Sequence, residues 1–510
     1  DWSSDVCSSD LDILIEPLLS GISDPSPNLR AVAGNSLAAL VPCFEEGKYE
    51  QIMNKLLSEL KQQKTFAERQ GSSQAIAMLI KARGIEQLNQ QLHHFVDLAQ
   101  NSEQLTVREG YISLLGFLSH FFGEEFIDAY NITITAVLDA CADPNDTIRT
   151  VGLRSASLIA KTFSKSNPQL ILKPFFSCAL KQDWRQRLCA VNFMKSFVYA
   201  TTNTTEADDK GIREIGELLK NLELQVTKEI LFPALMTLFV LSADPVPTVS
   251  NEAQLCWRQL IPNTGQFLRE SMNLLLERIK AFTTSEFEVV RTVGAAAMVL
   301  GVRKLKTRFL NMCFDSLDEQ LCDPNINCVH GAVLCIHLLL DLLTQEDKIR
   351  ACKMIAVHLS STSSLIRFEA MDTFMEMRES IGEEGAKHIS TDLIKYVYNK
   401  AEEGGDVLSL SGLLSIIGHH AMVELSKRIL QRPLDEKRIE IASSLVFAAG
   451  EALDPIMPQF AERLISMSAH PPTEEEGQLA IRVAFGVIDS LNTSRREIFT
   501  SKLVENMRNQ

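Results

Sequence analysis

Turn-forming residues are scarce in this chain: glycine (24) and proline (17) make up 41 of its 510 residues, about 8%, where roughly 12% is usual. That shortage disfavours an all-β chain with many tight turns, and it disfavours low-complexity sequence. Aromatic residues are few as well, at 7%. No CxxC pair occurs, and Cys141, Cys178, Cys189, Cys256 and Cys352 lie in apolar stretches, as reduced core thiols do and disulfide frameworks do not. Long apolar runs are also missing. The longest, Leu231 to Ala243, is interrupted by Pro233 and Thr237 and falls short of the roughly 20 residues a bilayer-spanning helix needs. No P-loop, HExxH, GxSxG or kinase signature is present, so no catalytic step, cofactor or metal is expected. Cations are outnumbered, 50 Lys and Arg against 65 Asp and Glu for a net charge of -15, which argues against a surface that wraps nucleic acid and leaves room only for local basic patches.

Residues 1–11, DWSSDVCSSDL, read as the translation of a sequencing-library adapter. They are expected to be a disordered artefact and are set aside from fold reasoning. Removing Asp1, Asp5 and Asp10 brings the charge from -15 to -12 and leaves ten of the eleven cysteines. The remainder starts at Asp12 without an initiator Met, as expected of a slice from a longer chain.

What the chain does contain is a repeat. A short polar turn, often Asp-Pro, precedes an aliphatic residue, an arginine and a helix rich in Ala, Leu and Ser, as in DPSPNLRAVAGNSLAAL from Asp24 and DPNDTIRTVGLRSASLI from Asp143. The anchor position falls at Arg30, Arg69, Arg108, Arg149, Arg187, Ser250, Arg291, Val329 and Arg367, at spacings of 39, 39, 41, 38, 63, 41, 38 and 38. All but one match the two-helix HEAT or armadillo period of about 40 residues. Apolar residues at helical spacing follow each anchor, for example Leu37, Leu40 and Val41, or Ile112, Leu115 and Leu118, and second helices are predicted over 49–62 and 84–98. One such unit cannot bury its apolar stripe, so neighbours must stack. The expected fold is all-α, a HEAT/armadillo-type α-α superhelix: a curved solenoid of about twelve repeats.

Along the chain this gives HEAT repeats over 12–200, an acidic polar insertion loop over 201–217, and further repeats over 218–510, with the array cut at both ends. The turn aspartates are expected to accept from N–H groups opening the next helix. With the arginines they form a predicted inter-repeat ladder of Asp24, Arg30, Arg69, Arg108, Asp143, Arg149, Arg187, Arg291 and Arg367. Arg303, Lys304, Lys306 and Arg308 concentrate positive charge between two apolar helices and form a candidate ribosome-facing patch, weighed against an ordinary solvated turn. Cys322, Cys328, His330, Cys335 and His337 crowd together, but their spacing lacks paired metal-ligand elements, and Cys328, Cys335 and His337 read as a buried helix. His93, His94, His419 and His420 read as helix-surface or helix-end residues.

Particular residues go beyond the period. The D-P-x-x-x-V-R pattern at Asp24 to Arg30, the D-R-x-G-A-A-Q pattern at Glu68 to Gln74 followed by G-x-E-x-L at Gly84 to Leu88, the V-R-D/E-G pattern at Val107 to Gly110 and the F-G-x-x-F pattern at Phe122 to Phe126 resemble the central array of the general-control translational activators. The resemblance is specific over about residues 12–199 and weaker after that; Gln182-Asp183-Trp184, Ser250 and Val329 depart from the pattern. It implies a cytosolic, ribosome-associated, non-enzymatic scaffold. Such a scaffold helps activate the kinase of initiation factor two alpha in amino-acid starvation and ribosome stalling. It also implies that the RWD domain of the kinase is engaged mainly by segments beyond residue 510. From the short apolar runs and the acidic charge, no membrane and no DNA partner are expected. The alternatives are a tubulin-binding TOG-type array, for which only Trp184 is suitably placed, and a karyopherin-like transport scaffold, whose acidic and aromatic inner ladders are not evident.

Overall fold

The computed structural model describes residues 8–62, 65–202, 217–377, 427, 457–471, 473–490, 496–497, 499–501 and 504–505. His419, His420, the repeats expected between 378 and 456 and nearly all of the 201–217 insertion lie outside the described residues. Of that insertion, Thr201 and Thr202 end one helix and Glu217 opens the next.

Every regular element among the described residues is helical, and the fold is all-α of the HEAT/armadillo type. In chain order the helices begin with α1 (Ser8–Ile22), α2 (Pro27–Ala39), α3 (Glu46–Lys61), α4 (Phe66–Arg83), α5 (Ile85–Asn101), α6 (Leu105–Phe122), α7 (Ile127–Cys141) and α8 (Asp146–Phe163). They continue with α9 (Pro168–Ala179), α10 (Trp184–Thr202), α11 (Glu217–Gln225), α12 (Lys228–Leu241), α13 (Pro247–Leu260), α14 (Thr264–Glu270), α15 (Met272–Thr283), α16 (Glu288–Leu305) and α17 (Thr307–Leu321). The last are α18 (Ile326–Leu339), α19 (Gln345–Ala356), an unlabelled helix over 364–377, α20 (Met457–Ala469) and α21 (Glu474–Ser490). Two compact units divide at 310/311. Helix α1 starts at Ser8, inside the stretch read as adapter; residues 1–7 lie outside the described residues.

The polar turns do not join one repeat to the next, as the repeat pattern suggested. The helix before the turn packs more extensively on the anchor helix after it than the anchor helix does on its own successor, as α5 on α6, α7 on α8, α9 on α10 and α15 on α16 show. The turn therefore closes an antiparallel hairpin, and the hairpin is the repeat. Anchor helices α2, α4, α6, α8, α10 and α13 pack in succession as one layer. Ile112, Leu115 and Leu118 of α6 are fully buried between neighbours, each contributing roughly 1.5–3 kcal/mol of apolar burial. Leu37 and Val41 are buried too, while Leu40 is half-buried at the C-cap of α2.

The aspartate six residues before the anchor also acts differently from the expected cap. Oδ1 of Asp24, Asp143, Asp244 and Asp323 accepts from the backbone N–H two residues on, at 2.7, 2.7, 2.9 and 2.8 Å. That is an Asx turn. It sets the turn, and the helix N–H groups are left to others: Asn145 caps α8 through Thr147 and Ile148, and Asn325 caps α18 through Asn327. Where the sequence has serine at this position, Ser102, Ser285 and Ser361 do the same through Oγ, each at 3.3 Å.

Candidate functional site

Five of the seven anchor arginines begin as turn clasps, while Arg108 sends Nε to the Ala99 carbonyl, nine residues back, at 3.4 Å. Nη1 of Arg30 donates to the carbonyls of Asp24 and Pro25 at 2.9 and 2.8 Å. Arg149, Arg187, Arg291 and Arg367 repeat the pattern on the carbonyls six and five residues back. Each clasp uses Nη1 alone and leaves the rest of the planar fork for a second partner, a division that lysine's single ammonium cannot make.

A second edge of the guanidinium reaches the next hairpin. Arg30 donates to Gln70 Oε1 at 3.1 Å, and Arg69 to Glu109 Oε2 at 2.6 Å. Arg108 pairs with Asp143 Oδ2, while Arg187 holds both oxygens of Asp244, at 2.6 and 3.2 Å. The side chains of Arg187 and Asp244 are wholly buried, and those of Arg69 and Glu109 nearly so. Arg149 turns instead to Asp146 of its own helix at 2.7 Å. Asp24 meets Arg30 only through its carbonyl. Repeat spacing gave no sign of Gln70, Glu109 or Asp244 as partners. Gln70 and Glu109 each directly follow an anchor arginine, and Asp244 keeps the turn position ahead of Ser250, where the anchor arginine is absent.

Arg303 and Lys304 lie in the last turn of α16, Lys306 is its C-cap, and Arg308 stands in the first turn of α17. All four are exposed, and none makes an ion pair among the described residues. Lys306 has φ 63° and ψ -151°, a region essentially reserved for glycine. Gly84 and Gly123, fifteen residues after their anchors as Lys306 is after Arg291, take positive φ at the matching positions. Cations at a helix C-terminus are favoured by its dipole. That accounts for Arg303 and Lys304. It does not account for a strained lysine or for Arg308 at a helix N-terminus.

Cys328, His330 and Cys335 are buried in α18, whereas Cys322 is exposed. His337 is half-buried rather than core: its Nδ1 lies 3.1 Å from Thr373 Oγ1 and 3.4 Å from Glu369, and its Nε2 3.5 Å from Glu376. Among the described residues no three His, Cys, Asp or Glu are arranged to hold a metal ion, and no helix is long and apolar enough to cross a membrane. His93 and His94 are exposed on α5.

No family model matches the chain. Over 489 residues, 93% of its length, it is 25% identical to the eIF-2-alpha kinase activator GCN1 of Saccharomyces cerevisiae. Over 451 residues, 86% of its length, it is 22% identical to the stalled ribosome sensor GCN1 of Homo sapiens. The resemblance to the general-control activators therefore extends well beyond the first 199 residues. The chain spans 18% and 17% of these two relatives' lengths. A crystal structure of Kap121p is matched over 98% of this chain and 52% of that one, at 12% identity and a TM-score of 0.34.

Proposed function

We propose that this chain is a stretch of the helical array of a translation regulator, a non-enzymatic cytoplasmic scaffold that lies on the ribosome and helps activate the kinase of initiation factor two alpha. The observation that carries this reading is similarity over 93% of the chain to a kinase activator and over 86% to a stalled ribosome sensor. The chain's own share is ribosome contact and spacing, and the RWD domain of the kinase is engaged mainly by segments outside it.

Within the chain, the turn of Arg303, Lys304, Lys306 and Arg308 is the proposed contact with ribosomal RNA phosphates. Two of its charges stand where folding alone disfavours them, as expected of residues kept for a partner. Co-sedimentation with ribosomes tests this. Four phosphate contacts would make log affinity fall against log salt with a slope of about -3. Reversing all four charges to glutamate should remove that slope and most of the binding. Salt-independent binding, an unaffected charge-reversed variant, or sedimentation with polymerised tubulin in place of ribosomes would each refute the assignment.

A further inference from the structure

A different surface carries a proposal that goes beyond that reading and stands without it. Helices α4, α6 and α8, the anchor helices of three consecutive hairpins, line one open cavity of about 280 Å³. Its floor is apolar, built from Phe66, Phe117, Val151 and Leu158, and its charged members are Arg154 and Lys161. Serines and a glutamine complete the lining, and no carboxylate takes part. In a chain of net charge -15 that is a local reversal of sign.

The two cations are also uncommitted. The anchor arginines nearby are tied up, Arg69 with Glu109 and Arg149 with Asp146. Arg154 and Lys161 are exposed and have no carboxylate partner among the described residues. Arg154 instead lies over the Phe66 ring, 4.7 Å from its centroid, which holds the guanidinium at the mouth of the cavity. Burial first, and then the Lys161 charge, hold the pKa of nearby His120 down. Behind the floor, Ser155 Oγ donates to the Ile112 carbonyl at 3.0 Å and closes the gap between α6 and α8.

We propose that this cavity docks an acidic linear peptide, with an aromatic or leucine side chain on Phe66 and Phe117 and two carboxylates on Arg154 and Lys161. The spacing sets the motif. Residues seven apart on a helix lie on one face, about 10 Å apart along the axis. A polyproline-type segment returns to the same side every third residue, a rise of about 9 Å. Two acidic residues three positions apart therefore match the pair of cations on α8, and an apolar residue between them, turned about 120° from that side, is directed to Phe66 and Phe117 on α4 and α6.

Fluorescence anisotropy with the whole chain tests this. The probe is a labelled peptide with two glutamates three residues apart, a phenylalanine between them and prolines elsewhere. Two partly exposed ion pairs together account for about a tenfold change in affinity. Replacing the glutamates by glutamines should weaken binding by about that factor, as should Arg154→Glu with Lys161→Glu. The doubly reversed chain should in turn prefer a lysine version of the peptide. That rescue separates charge recognition from misfolding. Equal binding of the glutamate and glutamine peptides, an unchanged affinity in the doubly reversed chain, or no binding of the glutamate peptide at millimolar concentration would overturn the proposal. So would binding of a uridylate decamer through Arg154 and Lys161 when the glutamate peptide does not bind.

Discussion

Lys306 is the residue at which stability and the proposed role pull apart. It is the one non-glycine residue at positive φ among the described residues, and a side chain held there costs on the order of 1–3 kcal/mol. Lys306→Gly should therefore raise the unfolding free energy by about 1–2 kcal/mol, read from the denaturant midpoint at unchanged slope. The same variant should bind ribosomes more weakly, having lost one phosphate contact. A loss of stability would mean that the φ value reflects no strain. The cysteines give a second test at this scale. Burial pushes the Cys352 thiol up to about 12 and raises Cys335 well above its ordinary value. Cys189 is raised as well, first by its hydrogen bond with Cys141 and then by burial. Thiolate is the reactive form, so among the described cysteines of the native chain a thiol reagent at pH 8 should label Cys43 and Cys322, the exposed ones. The buried thiols should react only in denaturant.

At the scale of the helix, the stack is held by backbone approach as much as by side chains. A Cβ on Gly71 of α4 would stand 1.9 Å from the Ile22 carbonyl oxygen of α1, a backbone atom that cannot swing away. Gly71→Ala should cost at least about 2 kcal/mol through displacement of α4 from α1. Glu109→Ala should cost about 3–5 kcal/mol, because the Arg69 charge would stay buried without its carboxylate. Thermal or chemical unfolding reads both, and a loss below 1 kcal/mol in either would show that the stack relaxes around the site. The arginine positions were legible because a repeat of fixed length returns the same residue to the same turn. The clasp onto carbonyls six and five residues back is local, so spacing alone foretold its recurrence. The acceptors across the stack were not legible. Gln70, Glu109 and Asp244 become partners through the register between hairpins, and nothing local to Arg30, Arg69 or Arg187 encodes that register. For the same reason the turns read from sequence as joints between repeats, whereas packing puts them inside the hairpin. The cavity on α4, α6 and α8 was invisible too, since its residues are ordinary helix-face positions until three hairpins bring them together.

At the scale of the whole chain, a stack of hairpins in which each touches mainly its neighbours has local rather than global cooperativity. The Arg187–Asp244 pair tests this, since it joins α10 to the turn before α13 across 57 residues of sequence. Replacing Arg187 by leucine strands several groups at once: the buried Asp244 carboxylate and the Lys181 and Gln182 carbonyls that Nη1 had satisfied. A charge left alone in the interior costs several kcal/mol, enough to open the hairpins it served. Amide hydrogen exchange should then lose protection by two to three orders of magnitude, about 3–4 kcal/mol of local opening, in residues 184–202 and 247–260. Protection in 66–83 and 105–122 should be retained, because those helices keep their own pairs, Arg69 with Glu109 and Arg108 with Asp143. A uniform loss across all four segments would mean that this part of the chain unfolds as one body. It could not then yield hairpin by hairpin along a ribosome surface, and the spacing role proposed above would fall with it.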